Sequence, residues 1–283
     1  MAIDADVLLN WTFPTTRHTY TERDTILYAL GIGIGMGEAA VDPEALRYVY
    51  EKGLHPVPTM ATMLAYPSGW WANPVYGINR AGVVNAGQSL ALHRKLACAG
   101  SVTSRLRVDA IEDKGSGRGV LIHTVRVLTD SATGEKLATT RQMIFCRGEG
   151  GMGSDDKPQA VAIRPLPERE PDQVATLSTR QEAALLFRLS GDLNPLHIDP
   201  AVAKTAGFAK PILHGLATFG MAAYALIAAG FQTYNFIEAR FTSPMLPGER
   251  VRCVIWEEPG GRAFGVTSLE SGKQILDRGW AAS

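Results

Sequence analysis

Leu216-Ala-Thr-Phe-Gly-Met-Ala-Ala-Tyr-Ala-Leu-Ile-Ala-Ala-Gly230 carries no charge and has small residues at many positions. A helix with no polar face is buried on all sides or spans a membrane. The wider uncharged segment, Ile212 to Phe231, is close to the ~20 residues that a span needs. It is, however, the only such segment in the chain, it opens on His214-Gly215, and it contains Gly220. Small side chains suit close packing against a curved sheet, so the expectation is one buried helix and no membrane. Downstream, β-type segments are expected at about Asn235–Phe241, Arg250–Glu257, Ala263–Glu270 and Gln274–Ala281. Turn chemistry separates them at Pro247-Gly248, Pro259-Gly-Gly261 and Ser271-Gly272. Short strands around one buried helix favour an α+β fold over a doubly wound α/β sheet.

The chain upstream repeats this plan. A helix is expected over Thr21–Leu30, closed by Gly31, and a second over Pro43–Lys52, after which Pro56 and Pro58 interrupt. Tyr66 to Tyr76 is aromatic and Pro-rich and reads as irregular. A shorter apolar helix over Gly87–Leu96 would be the first half's central helix. Strands follow at Val102–Ile111, Val120–Leu128 and Lys136–Phe145, separated by hairpin-type turns at Lys114-Gly-Ser-Gly117 and Asp130-Ser-Ala-Thr-Gly134. Gly148 to Pro171 reads as an exposed linker. After it, Thr179–Leu189 is expected as a helix with Thr179 or Ser178 as its cap. The domain expectation is 1–150, a linker at 151–171, and 172–283.

The chemistry concentrates in Phe187-Arg-Leu-Ser-Gly-Asp-Leu-Asn-Pro-Leu-His197. Asn194 precedes Pro195, which disfavours the α region there. Asp192 and His197 therefore do not stack on a helix face; they converge from the two ends of a short stiff bend. A carboxyl group and an imidazole so held can deliver water and a proton to one substrate. The free N–H groups at the start of the buried helix, at Gly215, can hold an oxygen that becomes negative during reaction.

Phe187, Ser190, Gly191, Asp192, Asn194, Pro195, His197 and Ala203 resemble the signature of the MaoC-like, (R)-specific enoyl-CoA hydratases, also called hydratase 2. Tyr20-Thr-Glu-Arg-Asp24, Tyr28-Ala-Leu-Gly-Ile-Gly33, Asp113-Lys-Gly-Ser-Gly117, Ala239-Arg-Phe241 and Pro247-Gly248 are similar to stretches of the hydratase domain of the peroxisomal multifunctional β-oxidation enzymes. The resemblance covers nearly the whole chain. It implies a double hotdog, in which each antiparallel sheet wraps a central helix. It also implies addition of water to trans-2-enoyl-CoA thioesters to give (R)-3-hydroxyacyl-CoA, with no metal or redox cofactor. Asp192, His197, Asn194 and Gly215 take catalytic roles in this reading, with His197 receiving a proton from water and Asp192 helping to give one to C2. The acid and base labels are interchangeable at this level. Substrate contacts map to Asn85, Ala86, Lys114, Leu193, Pro195, Leu196 and Phe241. The family usually has His-Gly-Glu-Gln where this chain has Asn85-Ala-Gly-Gln88. Trp70 and Trp71 either line the acyl pocket or pack.

Aligned on each other, the two halves set Gly33 against Asp192 and Asn85-Ala86 against His214-Gly215. This leaves one active site per chain and a first half adapted to house the acyl chain. A dehydratase acting on acyl-carrier-protein substrates would use the same residues in reverse. A hotdog thioesterase or a non-catalytic acyl-CoA-binding protein fits the intact Asp192–His197 bend less well.

Composition excludes other classes. The chain of 283 residues has 28 basic and 28 acidic residues, so no global field favours nucleic acid or an anionic membrane. Three scattered cysteines without a CxxC argue for reduced thiols in a cytoplasmic protein. The N-terminus lacks a signal-peptide pattern. Gly31-Ile-Gly-Ile-Gly-Met-Gly37 does not give GxGxxG and follows a helix, so no dinucleotide is expected. His18, His55, His93 and His123 show no metal-ligand spacing. The expected partner is an acyl-CoA thioester, in a homodimer of hotdogs paired edge to edge.

Overall fold

The computed structural model describes residues 3–153, 155–156 and 164–283. The first half runs α1 (Ala5–Asn10), β1 (Thr15–Tyr20), α2 (Glu22–Gly31) and α3 (Pro43–Leu46). Short 3-10 turns, including Pro58–Thr62, lead into β2 (Val83–Leu92), β3 (Gly100–Asp113), β4 (Val120–Asp130) and β5 (Lys136–Cys146). A two-residue β6 (Asp155–Asp156) pairs with β3. The second half runs β7 (Gln173–Ser178), α4 (Ala183–Phe187), α5 (Pro200–Thr205) and α6 (Gly215–Ala228). It closes with β8 (Phe236–Phe241), β9 (Arg250–Glu258), β10 (Gly261–Ser268) and β11 (Gln274–Ala282).

The strands form one sheet in the order β1-β3-β4-β5-β2-β8-β11-β10-β9-β7, with β6 off this path. Each half contributes five consecutive strands, and antiparallel pairing of β2 with β8, from Gly87↔Arg240 to Ala91↔Phe236, joins them. This is the α+β double hotdog. Helix α6 lies in its core, with Leu216 to Ala223 and Ala225 to Ile227 all buried. No helix among the described residues is long and apolar enough to cross a membrane.

Glycine lets α6 and α2 approach. A Cβ at Gly220 would stand 2.7 Å from the Ile32 side chain and 2.8 Å from the Tyr28 hydroxyl. That hydroxyl donates to Thr59 at 3.0 Å. At Gly31 of α2, a Cβ would lie 3.2 Å from the Phe187 backbone. The Tyr28 and Phe187 rings meet with centroids 5.8 Å apart, locking α2 to α4.

Several expectations are corrected. Gly87–Leu96 is not a helix: most of it is β2, hydrogen-bonded on one side to β5 and on the other to β8. A short apolar run with small residues suits either state, and pairing on both edges decides it. Among the described residues the first half has no central helix; in α6's place in the chain order stands the turn Pro58–Thr62, which contacts α6 itself. Asn85-Ala86 therefore lie on a strand whose counterpart is β8, not at a helix start. The Pro43–Lys52 helix ends at Leu46. The Thr179–Leu189 helix begins at Ala183, and Thr179 instead donates its hydroxyl to the Glu249 carbonyl at 2.9 Å. Strands β1 and β7 were not expected from the sequence. Of the Gly148–Pro171 linker, 154 and 157–163 lie outside the described residues.

Gly220→Ala sets two effects against each other. Alanine gains about 1 kcal/mol in a helix interior, while overpacking a filled core costs about 1–3 kcal/mol. With contacts below 3 Å to both Ile32 and Tyr28, the clash wins. The variant is expected to unfold at lower urea concentration than wild type, with part of the loss recovered by adding Ile32→Ala; equilibrium denaturation measures both.

Candidate active site

The bend between α4 and α5 is built by local hydrogen bonds. Asn194 has φ −56° and ψ 121°, the extended form that Pro195 imposes. Its side-chain oxygen accepts from the Leu196 N–H at 3.1 Å and caps the 3-10 turn Pro195–His197. Asp192 Oδ1 accepts from the Asn194 N–H at 3.2 Å. The Ser68 hydroxyl, from the first half, donates to Asp192 Oδ1 at 3.3 Å and accepts from the Leu193 N–H at 3.1 Å. Asp192 and His197 are both buried.

His197 sits with Nδ1 2.8 Å from the Ile212 carbonyl. A carbonyl only accepts, so Nδ1 carries the proton and Nε2 of the neutral ring offers a lone pair. Burial holds the His197 imidazole below its usual range, partly opposed by the Asp192 charge and the Ile212 carbonyl. His214 stacks on it, with centroids 3.7 Å apart and planes 28° apart. His214 Nε2 donates to the Asp192 carbonyl at 3.1 Å. Burial, and then the neighbouring His197, push His214 well below the ordinary histidine range. Phe187 backs His214 at 5.1 Å.

Asp192, Asn194 and His197 face a cavity of about 260 Å³. Its walls are largely apolar, from Trp71, Val83, Ile144, Phe208, Leu196, Ile212 and Met245, with Asp192, Asn194, His197, Asn85, Gln142 and Arg147 among the polar members. The N-terminus of α6 opens onto it through Gly215 and Leu216. The first intrahelical acceptor, the His214 carbonyl, is used by Ala217 and Thr218, which leaves the Gly215 and Leu216 N–H groups at the positive end of the helix dipole. Phe241 closes over this point: a Cβ at Gly215 would lie 3.0 Å from its ring.

Asp192, His197 and His214 each bring one ligand-type atom within 4.8 Å of the others. A zinc ion would need in-plane lone pairs converging at about 2.0–2.1 Å. Two nearly parallel, stacked imidazoles do not aim theirs at one point, and His197 Nδ1 and His214 Nε2 are already held by carbonyls. The cluster suits proton transfer better than metal binding.

The sequence is similar to known proteins along its whole length. A sequence model of the MaoC like domain matches residues 163–277, and one of the MFE-2 hydratase 2 N-terminal domain matches residues 18–148. 3-Hydroxyacyl-thioester dehydratase Y of Mycobacterium tuberculosis is 38% identical over 268 residues, spanning 93% of this chain and 90% of that protein. Enoyl-CoA hydratase 2, peroxisomal, of Arabidopsis thaliana is 34% identical over 293 residues, spanning 96% and 93%. The chain belongs to the MaoC-like hydratase 2 family. A MaoC-like dehydratase from Phytophthora capsici superimposes with a TM-score of 0.83 at 29% identity, covering 99% of this chain and 97% of that one.

Against this hydratase 2 frame, the residues singled out from the sequence divide. Asp192, Asn194, His197, Gly215, Asn85, Leu196 and Phe241 share the cavity wall. Asn85 sits at a β-bulge of β2, its side chain accepting from the Gly87 N–H at 3.3 Å. Ala86, Leu193, Pro195 and Lys114 are not on the wall. Leu193 is exposed, Pro195 starts the 3-10 turn, and Lys114 pairs with Glu112 at 2.6 Å on the turn after β3. Trp71 lines the cavity, while Trp70 packs edge-on against Phe13 at 5.4 Å. Sequence reasoning missed Ser68, Tyr66, Gln142 and Arg147, which come from the first half, and gave His214 no role. Only His214 carried a local signal, its place just before Gly215.

The two buried histidines make a sign-defined prediction. Their folded pKa values lie below the ordinary ~6.5. Between the two values the unfolded chain binds more protons, so stability rises with pH there. The neutral-ring contribution is complete above about pH 6.5 and is lost as pH falls through the lowered values. Urea midpoints measured across that window should drop on acidification, and drop less in a His197→Gln chain.

Proposed function

We propose that this protein hydrates trans-2-enoyl-CoA thioesters to (R)-3-hydroxyacyl-CoA, reversibly and without a cofactor. The observation that carries the reading is the shared wall on which the Asp192 carboxylate, an acceptor-only His197 Nε2 and the free N–H groups of α6 face one apolar cavity. Family membership and the names of the two relatives, a thioester dehydratase and an enoyl-CoA hydratase, point the same way.

The roles follow from donor and acceptor chemistry. The thioester carbonyl accepts from the N–H of Gly215 and of its neighbour Leu216, which stabilise the enolate charge that develops as C3 is attacked. This is the dominant contribution, since removing one such donor typically costs about a hundred- to a thousand-fold. Asp192 and His197 are both acceptors, so together they hold the two hydrogens of one water and aim its oxygen at C3. His197 Nε2 takes a proton as the C–O bond forms, and the Asp192 charge stabilises the imidazolium. The proton returns to C2 through Asp192 on the same face, leaving both groups as they began. Asn194 holds the bend. Taking His197 as the base is supported by the Ile212 carbonyl, which holds Nδ1–H and leaves Nε2 as the acceptor.

The wider assignment is proposed on the same footing. Residues 1–150 form a non-catalytic hotdog that houses the acyl chain, 151–171 a linker, and 172–283 the catalytic hotdog. Supporting this, Gly33 has no side chain to act where the second half has Asp192, and first-half residues Trp71, Val83 and Ile144 supply apolar wall. Substrate contacts are assigned to Asn85, Leu196 and Phe241, with Ala86, Leu193 and Pro195 beside them and Lys114 toward a CoA phosphate. A cytoplasmic homodimer is the proposed state, in keeping with three free thiols and edge strands β1 and β7 paired on one side only. Dehydration of a (3R)-hydroxyacyl thioester, on CoA or on an acyl carrier protein, is the same step reversed; the name of the Mycobacterium tuberculosis relative favours keeping it as the second reading.

Asp192→Asn and His197→Gln should each lower turnover about a hundred-fold or more while the circular dichroism spectrum stays native. The assay is loss of the enoyl-thioester absorbance of crotonyl-CoA, with chiral analysis of the product and a parallel acyl-carrier-protein substrate. Wild-type turnover in either folded variant rejects the assignment.

A further inference from the structure

Among the described residues the first half has no long helix like that of the second, yet one of its hydroxyls, that of Ser68, bonds directly to Asp192. Its hydroxyl donates to Asp192 Oδ1 at 3.3 Å and accepts from the Leu193 N–H at 3.1 Å. It therefore spans the side chain of Asp192 and the backbone just after it. Asp192 Oδ1 takes a further bond from the Asn194 N–H, so two donors fix this one carboxylate oxygen.

The segment carrying Ser68 is held more firmly than a surface loop requires. Ala65, three residues before it, adopts φ +49°, a left-handed conformation that costs a residue with a Cβ energy. Both of its backbone groups are held by side chains from the sheet: its N–H donates to His18 Nδ1 at 3.2 Å and its carbonyl accepts from the Ser104 hydroxyl at 2.7 Å. Just upstream, the buried Arg126 guanidinium donates to the Leu64 carbonyl and the Thr62 carbonyl, both at 2.6 Å. The chain then turns at Tyr66, where the Ser68 N–H returns to the Tyr66 carbonyl at 2.9 Å. Local strain that the surroundings over-determine is a mark of a positioned functional group. Of the groups this segment carries, Tyr66 lines the cavity wall, and Ser68 is the one that bonds to Asp192 and Leu193.

Resting on the hydratase reading above, we propose that Ser68 is a positioning residue for Asp192: the degenerate half supplies the hydroxyl that orients the acid of the other half. Its effect passes through one carboxylate, so it alters turnover and leaves substrate affinity nearly unchanged.

The test uses the full chain with crotonyl-CoA. Ser68→Ala is expected to lower kcat about tenfold, as loss of one oriented hydrogen bond in the transition state does, with KM changed less than twofold. Ser68→Thr, which keeps the hydroxyl, should recover most of the loss. In an Asp192→Asn background, Ser68→Ala should add almost nothing, because contacting residues that act as one unit are not additive. Should the alanine chain not fold, Ser68→Cys decides: it keeps the size, weakens the donor, and should lower kcat in the same direction. Wild-type kcat in the folded alanine or cysteine variant overturns the proposal. So does a full extra loss on top of Asp192→Asn, or a threonine variant as impaired as alanine. An Asp192→Asn chain with undiminished turnover sinks the hydratase assignment itself, and is separable from these outcomes.

Discussion

His214 is the joint on which the site depends. As the residue before α6 it fixes where the helix begins, its Nε2 holds the Asp192 carbonyl at 3.1 Å, and its ring face carries His197 at 3.7 Å. Behind it the column continues through Phe187 to Tyr28, at 5.1 Å and 5.8 Å. One stack of rings thus runs from the contact between α2 and α4 to the imidazole that faces the cavity. An aromatic pair adds about 0.5–1.5 kcal/mol beyond area burial, which is modest. The greater consequence is positional: the helix N-terminus, the carboxylate and the imidazole are registered to a single side chain, itself wholly buried.

That burial also sets the chemistry. Desolvation disfavours the charged form of both imidazoles, and the Ile212 carbonyl chooses the tautomer of the neutral His197 ring. A neutral ring with its lone pair toward the cavity is an acceptor for water, whereas an imidazolium there would repel a proton. The apolar walls strengthen every remaining polar contact, because a hydrogen bond to a charged group is worth more where water is scarce. In the proposed mechanism the same dryness makes the two N–H groups of α6 effective against a developing enolate.

Much of this was legible in the sequence because it was local. Asn194-Pro195 dictates the bend from backbone sterics alone, and the uncharged run after Gly215 announces a buried helix. The strands of the second half and β3 to β5 stood out by their turns. What stayed hidden was non-local. Strand β2 looked helical because Gly87 to Leu92 is short, with small residues and leucines but no β-branched residue, and only pairing to β5 and β8 on both edges makes it a strand. Strands β1 and β7 are polar on alternate positions and sit at the sheet's two ends, so they lack a core signature even though Thr15–Tyr20 is rich in β-formers. Ser68 had no sequence signal at all: a serine between Pro67 and Gly69 reads as a turn, and its partner lies 124 residues away.

The two halves share an order of elements but have diverged where it counts. The second has the bend and the long helix; among the described residues the first has the turn Pro58–Thr62 at the helix's place in the chain order. A hotdog without its own central helix would ordinarily have a cavity in the core, since missing side-chain volume there is left unfilled. Instead α6 packs against that turn as well as against β2 and the strands of its own half, so one helix fills the axis for both. The loop beyond the turn, freed from helical geometry, carries Tyr66, Ser68 and Trp71 to the mouth of the other half's bend. A second helix in that position would keep its residues on a regular spiral and away from Asp192. The site therefore has walls from both halves, which neither hotdog builds alone.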